Sequence, residues 1–439
     1  MARIAVIGAG ISGLVAAYRL HQAGHTVSVF EADPACGGRV SSLRIGEYLI
    51  NRGADIVPTA YDDVLALYRD LGLISGEPEA IHSVVGFVRD QKIHRIRSDH
   101  AMRDGLATRL ISWRSKLVLL RLAWDGWRAR RILQGGDFSK GQPLDTQSAS
   151  DYARTKLNDE IRRYLIAPLV NGISARSSIL DFFFTATMTM GSGFVQYPGG
   201  IGLLTETLAN HADVTTSCPV TGLSECDGQV IVAFGSDTGR AAERFDGVIV
   251  ATPGTVVPQI WPDMPERAAY LLREQLVYSP LFPAQFGLRA RPAEPAGVIF
   301  NDADAPDDLV SISFAHNLRQ TACPEDKGLL TVLFTPEWAA ANAHLSDEVL
   351  LDHMLDGVER IFPGTRDIVD MRHLERWTYG AQRAWPGYCA EVAELTSLID
   401  QHSRVQLAGD YFGSSSTQAC IKSADRAVAM LRRILDRVE

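Results

Sequence analysis

The sequence predicts an α/β fold in which a Rossmann-like domain is interleaved along the chain with a second domain of mixed α+β structure. Three observations support this prediction. Residues 4 to 22 have the pattern of a strand, a glycine-rich turn and a helix. Strand-like and helix-like segments then recur to the C terminus. The chain, at 439 residues, is also too long for one simple core.

The glycine-rich turn joins an apolar strand to the first helix. It consists of Gly8-Ala9-Gly10-Ile11-Ser12-Gly13. Gly8 permits the sharp turn out of the strand, Gly10 lets a pyrophosphate approach the backbone, and Gly13 lets the helix lie close to the sheet. The amides of the first helical turn have no partner within the helix, and together with the helix dipole they favour a phosphate anion. This unit therefore predicts a dinucleotide site.

An acidic residue follows the second predicted strand. The apolar run from Thr26 to Phe30 ends on Glu31, 18 residues past Gly13. A carboxylate at that place can accept hydrogen bonds from ribose hydroxyls. Glycine triplets also occur in loops that bind nothing, but here the strand, the helix and the acid all meet the conditions for a binding site. An adenine dinucleotide fits this pattern.

The segment Gly37-Gly38-Arg39 distinguishes a flavin from a nicotinamide dinucleotide. It comes six residues after Glu31 and resembles an extended motif of FAD proteins, in which the glycines pass close to the pyrophosphate. Arg39 can add charge-assisted hydrogen bonds to that group. The alternative is a solvated turn with one exposed arginine. The backbone at Gly53 and Ala54 is expected to return to the same cofactor.

Composition argues against several other functions. The formal net charge of −9 disfavours a broad basic surface for nucleic acid. The six cysteines show no CxxC spacing, which predicts reduced thiols in a cytoplasmic protein. No histidine falls at metal-ligand spacing, so no metal site is predicted. The first strand begins close to Met1 and no apolar run reaches the length of a membrane span, so we expect neither a cleaved signal nor a transmembrane helix.

The remaining elements are predicted from periodicity and turn signals. Strands are predicted at Leu43 to Ile50, Pro219 to Leu223, Gln229 to Phe234, Phe245 to Ala251, Ala284 to Leu288, Val310 to Ala315, Leu329 to Phe334 and Arg404 to Leu407. Helices are predicted at Asp62 to Leu71, Ala149 to Leu157, Asp159 to Val170, Leu203 to Ala209, Asp347 to Ile361 and Gln418 to Leu435. The three strands between 219 and 251 are expected to form an antiparallel meander.

These elements divide the chain into two interleaved domains. The dinucleotide domain is expected to comprise residues 1–75, 195–275 and 390–439. The second domain is expected to comprise 76–194, a largely helical insertion, and 276–389.

The segment from 100 to 133 is helical in pattern and basic, with eight Lys or Arg residues and two Asp residues. Leucines and tryptophans recur in it at three- and four-residue steps. A basic amphipathic helix with tryptophans can lie on a membrane surface. It can also pack on its own domain, and this internal interpretation is favoured because apolar faces in soluble proteins usually meet a core. A peripheral membrane contact through 100–133 stays open.

Taken together, the motifs resemble the FAD-dependent superfamily of protoporphyrinogen oxidases, flavin amine oxidases and phytoene-type desaturases. The matching motifs are GAGISGL at 8–14, Glu31, GGR at 37–39, YPGG at 197–200, FDGVIVATP at 245–253 and LAGD at 407–410. The segments at 111–117, 168–173 and 411–413 are most similar to the protoporphyrinogen oxidase branch. This resemblance implies an FAD-binding domain of the glutathione-reductase type and a substrate domain.

The resemblance also implies further cofactor contacts. Val220 would hold the adenine through its backbone, and Gly409 with Asp410 would contact the ribityl or pyrophosphate part. Ala419, Cys420 and Ile421, at the start of the last helix, would lie against the isoalloxazine ring. A helix start aimed at the ring would stabilise the charge that the ring gains on reduction.

The chain departs from the amine oxidases of this superfamily. These proteins often place a lysine near the flavin, about where Leu281 to Pro283 falls, and an aromatic cage residue where this chain has Ser416. Neither feature is found, so ordinary amine oxidation is doubtful. Cys389 lies near a position where some amine oxidases attach FAD, but its flanking residues resemble the non-covalent branch. We therefore expect non-covalent FAD.

No catalytic base can be assigned from the sequence. Trp377, Tyr379, Trp385 and Tyr388 could form an aromatic wall for a flat or apolar substrate, although aromatic residues in such a stretch are often core. Arg383 could anchor a substrate carboxylate. The alternative is a surface arginine.

Three functions stay open at this point. The first is an FAD-dependent oxidoreductase that dehydrogenates a C–N or C–C bond of a hydrophobic or heteroaromatic metabolite. The second is an amine or amino-acid oxidase with a non-standard cage, and the third is a non-redox protein with structural FAD. Because there is no second dinucleotide fingerprint, the expected electron acceptor is oxygen, a quinone or a carrier.

Overall fold

The computed structural model describes residues 1–75, 80–81, 83–133, 138, 141–170, 176–189, 193–195, 199–236, 239–399 and 403–436. Its strands are β1 (Arg3–Ile7), β2 (Thr26–Phe30), β3 (Ser42–Ile45), β4 (Tyr48–Asn51), β5 (Ala80–Ile81), β6 (Val84–Arg89), β7 (Lys92–Arg97), β8 (Phe194–Val195), β9 (Asp213–Thr215), β10 (Val220–Cys226), β11 (Gln229–Ser236), β12 (Gly239–Phe245), β13 (Gly247–Val250), β14 (Tyr278–Leu281), β15 (Ala284–Leu288), β16 (Ala296–Phe300), β17 (Leu309–Phe314), β18 (Gly328–Phe334), β19 (Val369–Leu374), β20 (Trp377–Gln382) and β21 (Val405–Leu407).

Sixteen α-helical segments complete the described fold. They are α1 (Ile11–Gln22), α2 (Asp62–Asp70), α3 (Ala101–Ala107), α4 (Trp113–Ile132), α5 (Ala149–Lys156), α6 (Asp159–Ile161), α7 (Ala167–Leu169), α8 (Ile179–Thr189), α9 (Gly202–Asn210), α10 (Val257–Ile260), α11 (Glu266–Tyr270), α12 (Ala315–Leu318), α13 (Pro336–Asn342), α14 (Asp347–Ile361), α15 (Tyr388–Ile399) and α16 (Thr417–Asp436). The mixture of parallel sheet and helices confirms the α/β fold.

A five-stranded parallel sheet has the order β21-β13-β1-β2-β9. Its strands come from the beginning, the middle and the end of the chain. The helices α1 and α16 pack on one face, where Val6 and Ile249 contact Leu14 and Leu431 in one apolar cluster. The meander β10-β11-β12 contributes to the cluster that covers the other face. Both faces are buried, as expected for a parallel sheet.

A second, seven-stranded sheet has the order β19-β15-β18-β17-β16-β6-β7 and is mainly antiparallel. The two strands at one end of this sheet, β6 and β7, fall within 76–194, so the prediction that this insertion is largely helical was wrong at 84–97. The turn between them uses Asp90 and Gln91, both with positive φ (51° and 60°). Neither is the glycine that usually marks such a turn, so no clear hairpin signal is present in the sequence.

Two other predicted strands differ in the structure. The run from 43 to 50 is a hairpin of β3 and β4, turned at Gly46 with a φ of 57°. The run from 245 to 251 divides, because β12 ends at Phe245 while Gly247–Val250 joins the parallel sheet next to β1. All four residues of that strand are buried, which is the pattern of a central parallel strand.

The basic segment is divided into α3 and α4, and Ser112 caps the start of α4 by accepting a hydrogen bond from the Ser115 amide. The buried face of α4, which includes Leu122 and Ala129, packs against α8. Of the leucines and tryptophans that predicted an internal face, Leu110 is buried, whereas Leu106 on α3 and the residues on α4 are exposed. The exposed residues on α4 are Trp113, Leu117, Leu120, Trp124 and Trp127, and we call them the apolar stripe. The internal interpretation was therefore wrong for this stripe, because periodicity shows an apolar face but not what covers it.

None of the described helices combines the length and the apolar character needed to cross a bilayer.

The close approach of α1 to the sheet gives a stability prediction. A Cβ atom added at Gly13 would lie 1.9 Å from the carbonyl oxygen of Gly8, whereas one added at Gly10 would meet no atom within 4 Å. Gly13→Ala should therefore lower the free energy of unfolding by about 1–3 kcal/mol. Gly10→Ala, whose φ of −73° suits alanine, should leave it nearly unchanged. Chemical denaturation of the flavin-free variants measures both, and equal stabilities would contradict the packing assignment.

Candidate functional site

The glycine-rich turn forms an open cradle at the start of α1. Gly8 has a φ of 98°, which glycine adopts without strain. The Gly37 amide donates a hydrogen bond of 2.8 Å to the Ala9 carbonyl, and Gly37 forms a β-bridge with Gly10. No side chain caps α1 at Gly10, so the amides of the first turn stay available to an anion. The structure therefore brings the two glycine motifs together, and the open space beside Gly10 fits a pyrophosphate.

Glu31 lies at the end of β2, next to this cradle. Its carboxylate accepts hydrogen bonds from the amides of Ala9 (2.6 Å) and Asp33 (2.9 Å). Burial raises the pKa of Glu31, although these amides oppose the effect. The Cys218 amide donates to the Glu31 carbonyl at 2.8 Å, which places Val220, at the start of β10, near the same strand end. This end of the cradle matches the predicted adenosine side.

Arg39 lies at the centre of a buried polar cluster. Its Nη1 donates to Asp410 Oδ2 at 2.8 Å and to the Gly380 carbonyl at 3.1 Å, and its guanidinium lies over the ring of Tyr278. The Tyr278 hydroxyl donates to Asp410 Oδ1 at 2.7 Å. Burial opposes the charge of Arg39, but Asp410 and Tyr278 outweigh it and raise its pKa. The structure thus pairs Arg39 with Asp410, where the sequence predicted a contact with the pyrophosphate.

The predicted return of the backbone at 53–54 also reaches this cluster. The Ala54 amide donates to the Arg39 carbonyl at 2.9 Å. A Cβ atom at Gly53 would lie 2.5 Å from the same oxygen, so only glycine fits this approach. Both residues therefore hold the position of the Arg39 backbone.

The start of α16 meets the cradle from the other end of the chain. The Gly409 amide donates to Ser423 Oγ at 2.9 Å, and the Cys420 thiol is paired with the Ser12 side chain. Burial raises the pKa of Cys420 to about 12, so the thiol is neutral at pH 7. Ala419 and Ile421 are buried on either side of it.

Two buried hydroxyls near this helix start have no partner among the described groups. They belong to Tyr411 and Thr417. Buried polar groups normally have hydrogen-bond partners, so these two point to a ligand or ordered water. An isoalloxazine ring, which is rich in nitrogen and oxygen, fits this environment. The predicted contacts at both chain ends therefore surround one site.

A cavity of about 420 Å³ adjoins the Arg39 cluster. Its walls include Val277, Tyr278, Pro280, Phe282, Thr378 and Tyr379. Tyr278 and Tyr379 pack edge to face with ring centroids 5.9 Å apart. The residues described as lining it carry no charged side chain, so the cavity favours an apolar or aromatic ligand. Sequence reasoning found Tyr379 but missed Tyr278, since nothing in the local pattern linked β14 to Asp410.

The other predicted aromatic residues do not share this wall. Trp377 donates from Nε1 to the Arg52 carbonyl at 2.7 Å, and the Arg52 guanidinium lies over its ring. Tyr388 is buried in the core, where its hydroxyl donates to the Tyr411 carbonyl at 2.6 Å. Trp385, which lies between Trp377 and Tyr388 in the sequence, is half-buried. The structure thus brings only Tyr379 of the four to the cavity.

Arg383 and Cys389 were the remaining candidates. Arg383 is 2% exposed, so the alternative of a surface arginine was wrong. Cys389 is buried on α15, and its sulfur packs so closely on Gly141 that an added Cβ would lie 2.7 Å away. In the YPGG motif, Tyr197 and Pro198 lie outside the described residues, as do 171–173 of the insertion.

The parallel sheet, the paired glycine motifs, the acid after β2 and the converging start of α16 define a dinucleotide-binding flavoprotein. The chain belongs to the flavin containing amine oxidoreductases, whose family model matches residues 11–431. It is therefore an FAD-dependent oxidoreductase that acts on a small-molecule substrate and passes electrons to an acceptor. Its cofactor is FAD. When bound, FAD supplies a hydride acceptor at N5.

Comparison with known proteins gives relatives of two kinds. The chain is 30% identical over 173 residues to Protoporphyrinogen oxidase 2, chloroplastic/mitochondrial, of Arabidopsis thaliana; the match covers 39% of this chain and 32% of that protein. It is 25% identical over 459 residues to Coproporphyrinogen III oxidase of Mycobacterium tuberculosis, with 98% and 97% covered. Cyclohexylamine oxidase from Brevibacterium oxydans shares the fold, with a TM-score of 0.78, 17% identity and coverage of 99% and 100%.

The raised pKa of Glu31 gives a prediction about pH. The flavin-free chain binds the Glu31 proton more tightly than the unfolded chain does, so this group adds stability as the pH falls. A ribose hydroxyl instead needs the ionised carboxylate as its acceptor. FAD should therefore bind more weakly as the pH falls towards the raised pKa.

Glu31→Gln should weaken FAD binding by about tenfold or more at neutral pH, because a hydrogen bond to a charged group is lost. The variant should also lose most of the pH dependence. Quenching of FAD fluorescence measures the dissociation constant, and Glu394→Gln, at a half-buried residue whose carboxylate pairs with Arg267, is the control. Equal affinity of Glu31→Gln and the wild type at neutral pH would contradict the assignment.

Proposed function

We propose that the enzyme dehydrogenates a porphyrinogen-type tetrapyrrole, a hydrophobic heteroaromatic substrate. A hydride from a C–H bond passes to FAD and a proton from a neighbouring N–H or C–H bond passes to solvent, which leaves a C–N or C–C double bond. The observation that supports this most is the uncharged aromatic cavity beside the Arg39 cluster. An apolar pocket gives affinity for a large flat molecule, and its few hydroxyl groups can orient the ring. The full-length similarity to a coproporphyrinogen III oxidase agrees with this class of substrate.

The same cavity is poorly suited to an amine. Leu281 to Pro283 supply no lysine, and Ser416 stands where amine oxidases often have an aromatic cage residue. The Ser416 hydroxyl lies 2.8 Å from that of Ser414 and accepts from the Ala419 amide, so it is used within the start of α16. An amine or amino-acid oxidase with a rebuilt cage is the second candidate. The fold shared with cyclohexylamine oxidase is compatible with it. Structural FAD without redox turnover is the weakest of the three, because the family is one of oxidoreductases.

Anaerobic reduction of the bound flavin tests the substrate class. Coproporphyrinogen III or protoporphyrinogen IX should bleach the visible flavin band, whereas benzylamine and L-phenylalanine should not. Formation of a porphyrin removes more electrons than one flavin accepts, so a fluorescent porphyrin should be released only after an electron acceptor is added to reoxidise the flavin. Reduction by dithionite is the control that the flavin can accept electrons. Bleaching by the amine or amino acid alone would overturn the proposal in favour of the second candidate. A flavin that dithionite reduces but no porphyrinogen does would also overturn it.

The apolar stripe supports a further part of the proposed function, a peripheral contact with an anionic lipid surface. Trp113 is 67% exposed, Leu120 71% and Trp124 58%, although large apolar side chains are costly to leave in water. The same segment has a net charge of +6 in a chain whose total is −9. Tryptophan and leucine flanked by arginine suit the boundary between lipid headgroups and acyl chains. A second copy of the chain would meet the same positive charge, which disfavours a symmetric contact.

Membrane docking also bears on the electron acceptor. An enzyme held at the bilayer has access to a lipid-soluble quinone, while oxygen and a protein carrier stay available from water. Comparing the rate of flavin reoxidation by oxygen and by a short-chain quinone separates these acceptors.

Replacing Trp124 and Trp127 with glutamate should reduce binding to vesicles of phosphatidylcholine and phosphatidylglycerol by about tenfold or more, because apolar burial and charge attraction are both lost. Both residues are exposed, so the thermal stability should be retained. Co-sedimentation measures the binding, and the exposed Val349→Glu on α14 is the control. Equal binding by the double variant, or wild-type binding to neither anionic nor neutral vesicles, would overturn the lipid assignment. A wild-type dimer that dissociates in the double variant would identify a second copy as the occupant instead.

A further inference from the structure

Arg383 is a buried cation with unused hydrogen-bonding capacity. It follows β20, and its side chain is among the largest that are fully buried. Its Nε donates to Ser279 Oγ at 3.2 Å, but its Nη2 has no partner among the described groups. An unsatisfied buried donor costs about 1–3 kcal/mol, and more when the group is charged. The guanidinium is therefore held in a costly position that a ligand could compensate.

Two carboxylates act on the charge of Arg383 through space. They belong to Asp181, in the first turn of α8, and to the exposed Glu337 on α13. Neither forms an ion pair with Arg383 in the described structure. Burial lowers the pKa of Arg383, and the two carboxylates oppose that effect. The guanidinium thus has negative charge nearby but no carboxylate hydrogen-bonded to it.

Asp181 is a half-buried side chain in a poorly hydrated place. Burial raises its pKa to about 6, against the opposing effect of Arg383. At pH 7 it is largely ionised and can accept a hydrogen bond from an N–H group.

The position of this pair relates it to the redox site. The Ser178 amide donates to the Ala384 carbonyl at 2.8 Å, which fixes the start of α8 against the end of β20. The Arg383 amide donates to the Val277 carbonyl at 3.3 Å, beside the Tyr278 that is bonded to Asp410. The main chain of Arg383 is therefore hydrogen-bonded to the residue before Tyr278, which belongs to the polar cluster of the flavin site.

We propose that Arg383 and Asp181 form a bipolar subsite that binds a substrate through a carboxylate and an N–H group on the same ligand. The planar guanidinium offers paired donors that match a carboxylate. Asp181 accepts the N–H, and Ser279 holds the Arg383 side chain in place. This chemistry fits a carboxylated pyrrole ring and also the zwitterion of an amino acid. The subsite extends the proposed function by adding orientation to the apolar cavity, and it is tested by binding without turnover.

Small probes separate the two halves of the subsite. Pyrrole-2-carboxylate carries both groups, furan-2-carboxylate lacks the N–H, and pyrrole-2-carboxamide lacks the negative charge. Calorimetric titration of the FAD-loaded protein should show the tightest binding for pyrrole-2-carboxylate, with a loss of about tenfold or more for each of the others. L-Phenylalanine, which carries a carboxylate and an ammonium group, tests whether the subsite binds an amino acid. These probes need no oxidation, so a failure of the porphyrinogen assay leaves this result interpretable.

Variants of Arg383 and Asp181 test which group of the ligand each residue binds. Arg383→Met should abolish binding of all carboxylates while keeping or raising thermal stability, because it removes an unsatisfied buried charge. Asp181→Ala, which removes the acceptor of the N–H group, should bind pyrrole- and furan-2-carboxylate nearly equally. The exposed Glu337→Gln should behave as the wild type. Wild-type binding of no probe, or unchanged binding in Arg383→Met, would overturn the proposal. If Arg383→Met does not fold, an unchanged preference for the N–H probe in Asp181→Ala overturns it.

Discussion

The hydrogen-bonded ion pair of Arg39 and Asp410 is the interaction on which the functional architecture depends. It joins a turn near the N terminus to the end of the last strand, 371 positions later in the sequence. Tyr278 on β14 and Gly380 on β20 belong to the same cluster. A buried ion pair contributes little net stability, because desolvation offsets the attraction. Its hydrogen-bonding geometry instead specifies how the separated segments meet.

The parallel sheet explains why these segments meet at one edge. β1 ends before Gly8, β2 before Glu31, β13 before Ala251 and β21 before Gly409. Because neighbouring parallel strands have the same direction, their carboxyl ends and the loops that follow them lie together. The glycine turn, the ribose acceptor and the Asp410 carboxylate are thus consequences of one topology. The sheet also requires long connections between its strands, and the seven-stranded sheet is built from those connections.

The sequence was sufficient to predict a site residue where the signal is local. It was insufficient where the residue's contacts are with distant parts of the chain. Gly8 to Gly13 and Glu31 belong to one strand–turn–helix unit whose spacing follows from the geometry of that unit. Nothing near Tyr278 or Asp181 indicates its partner, because those contacts depend on how α8 and β14 are placed. The apolar stripe on α4 was recognised as a face but assigned to the interior. Its periodicity is the same for a helix against a core and a helix against lipid, and only the packed structure distinguishes them.

The cavity and the Arg383–Asp181 subsite make complementary demands on a substrate. An uncharged aromatic cavity binds through apolar contact, which depends on area and has little directional preference. A ring held only in that way could present several carbons to the flavin. A fixed guanidinium and carboxylate restrict the ligand to one orientation, at the cost of keeping two charges poorly solvated before the ligand arrives. Such a substrate is apolar over most of its surface and polar at its edge, which is also the character of molecules that collect at the bilayer boundary. The same physical property therefore accounts for the cavity, the bipolar subsite and the exposed stripe on α4.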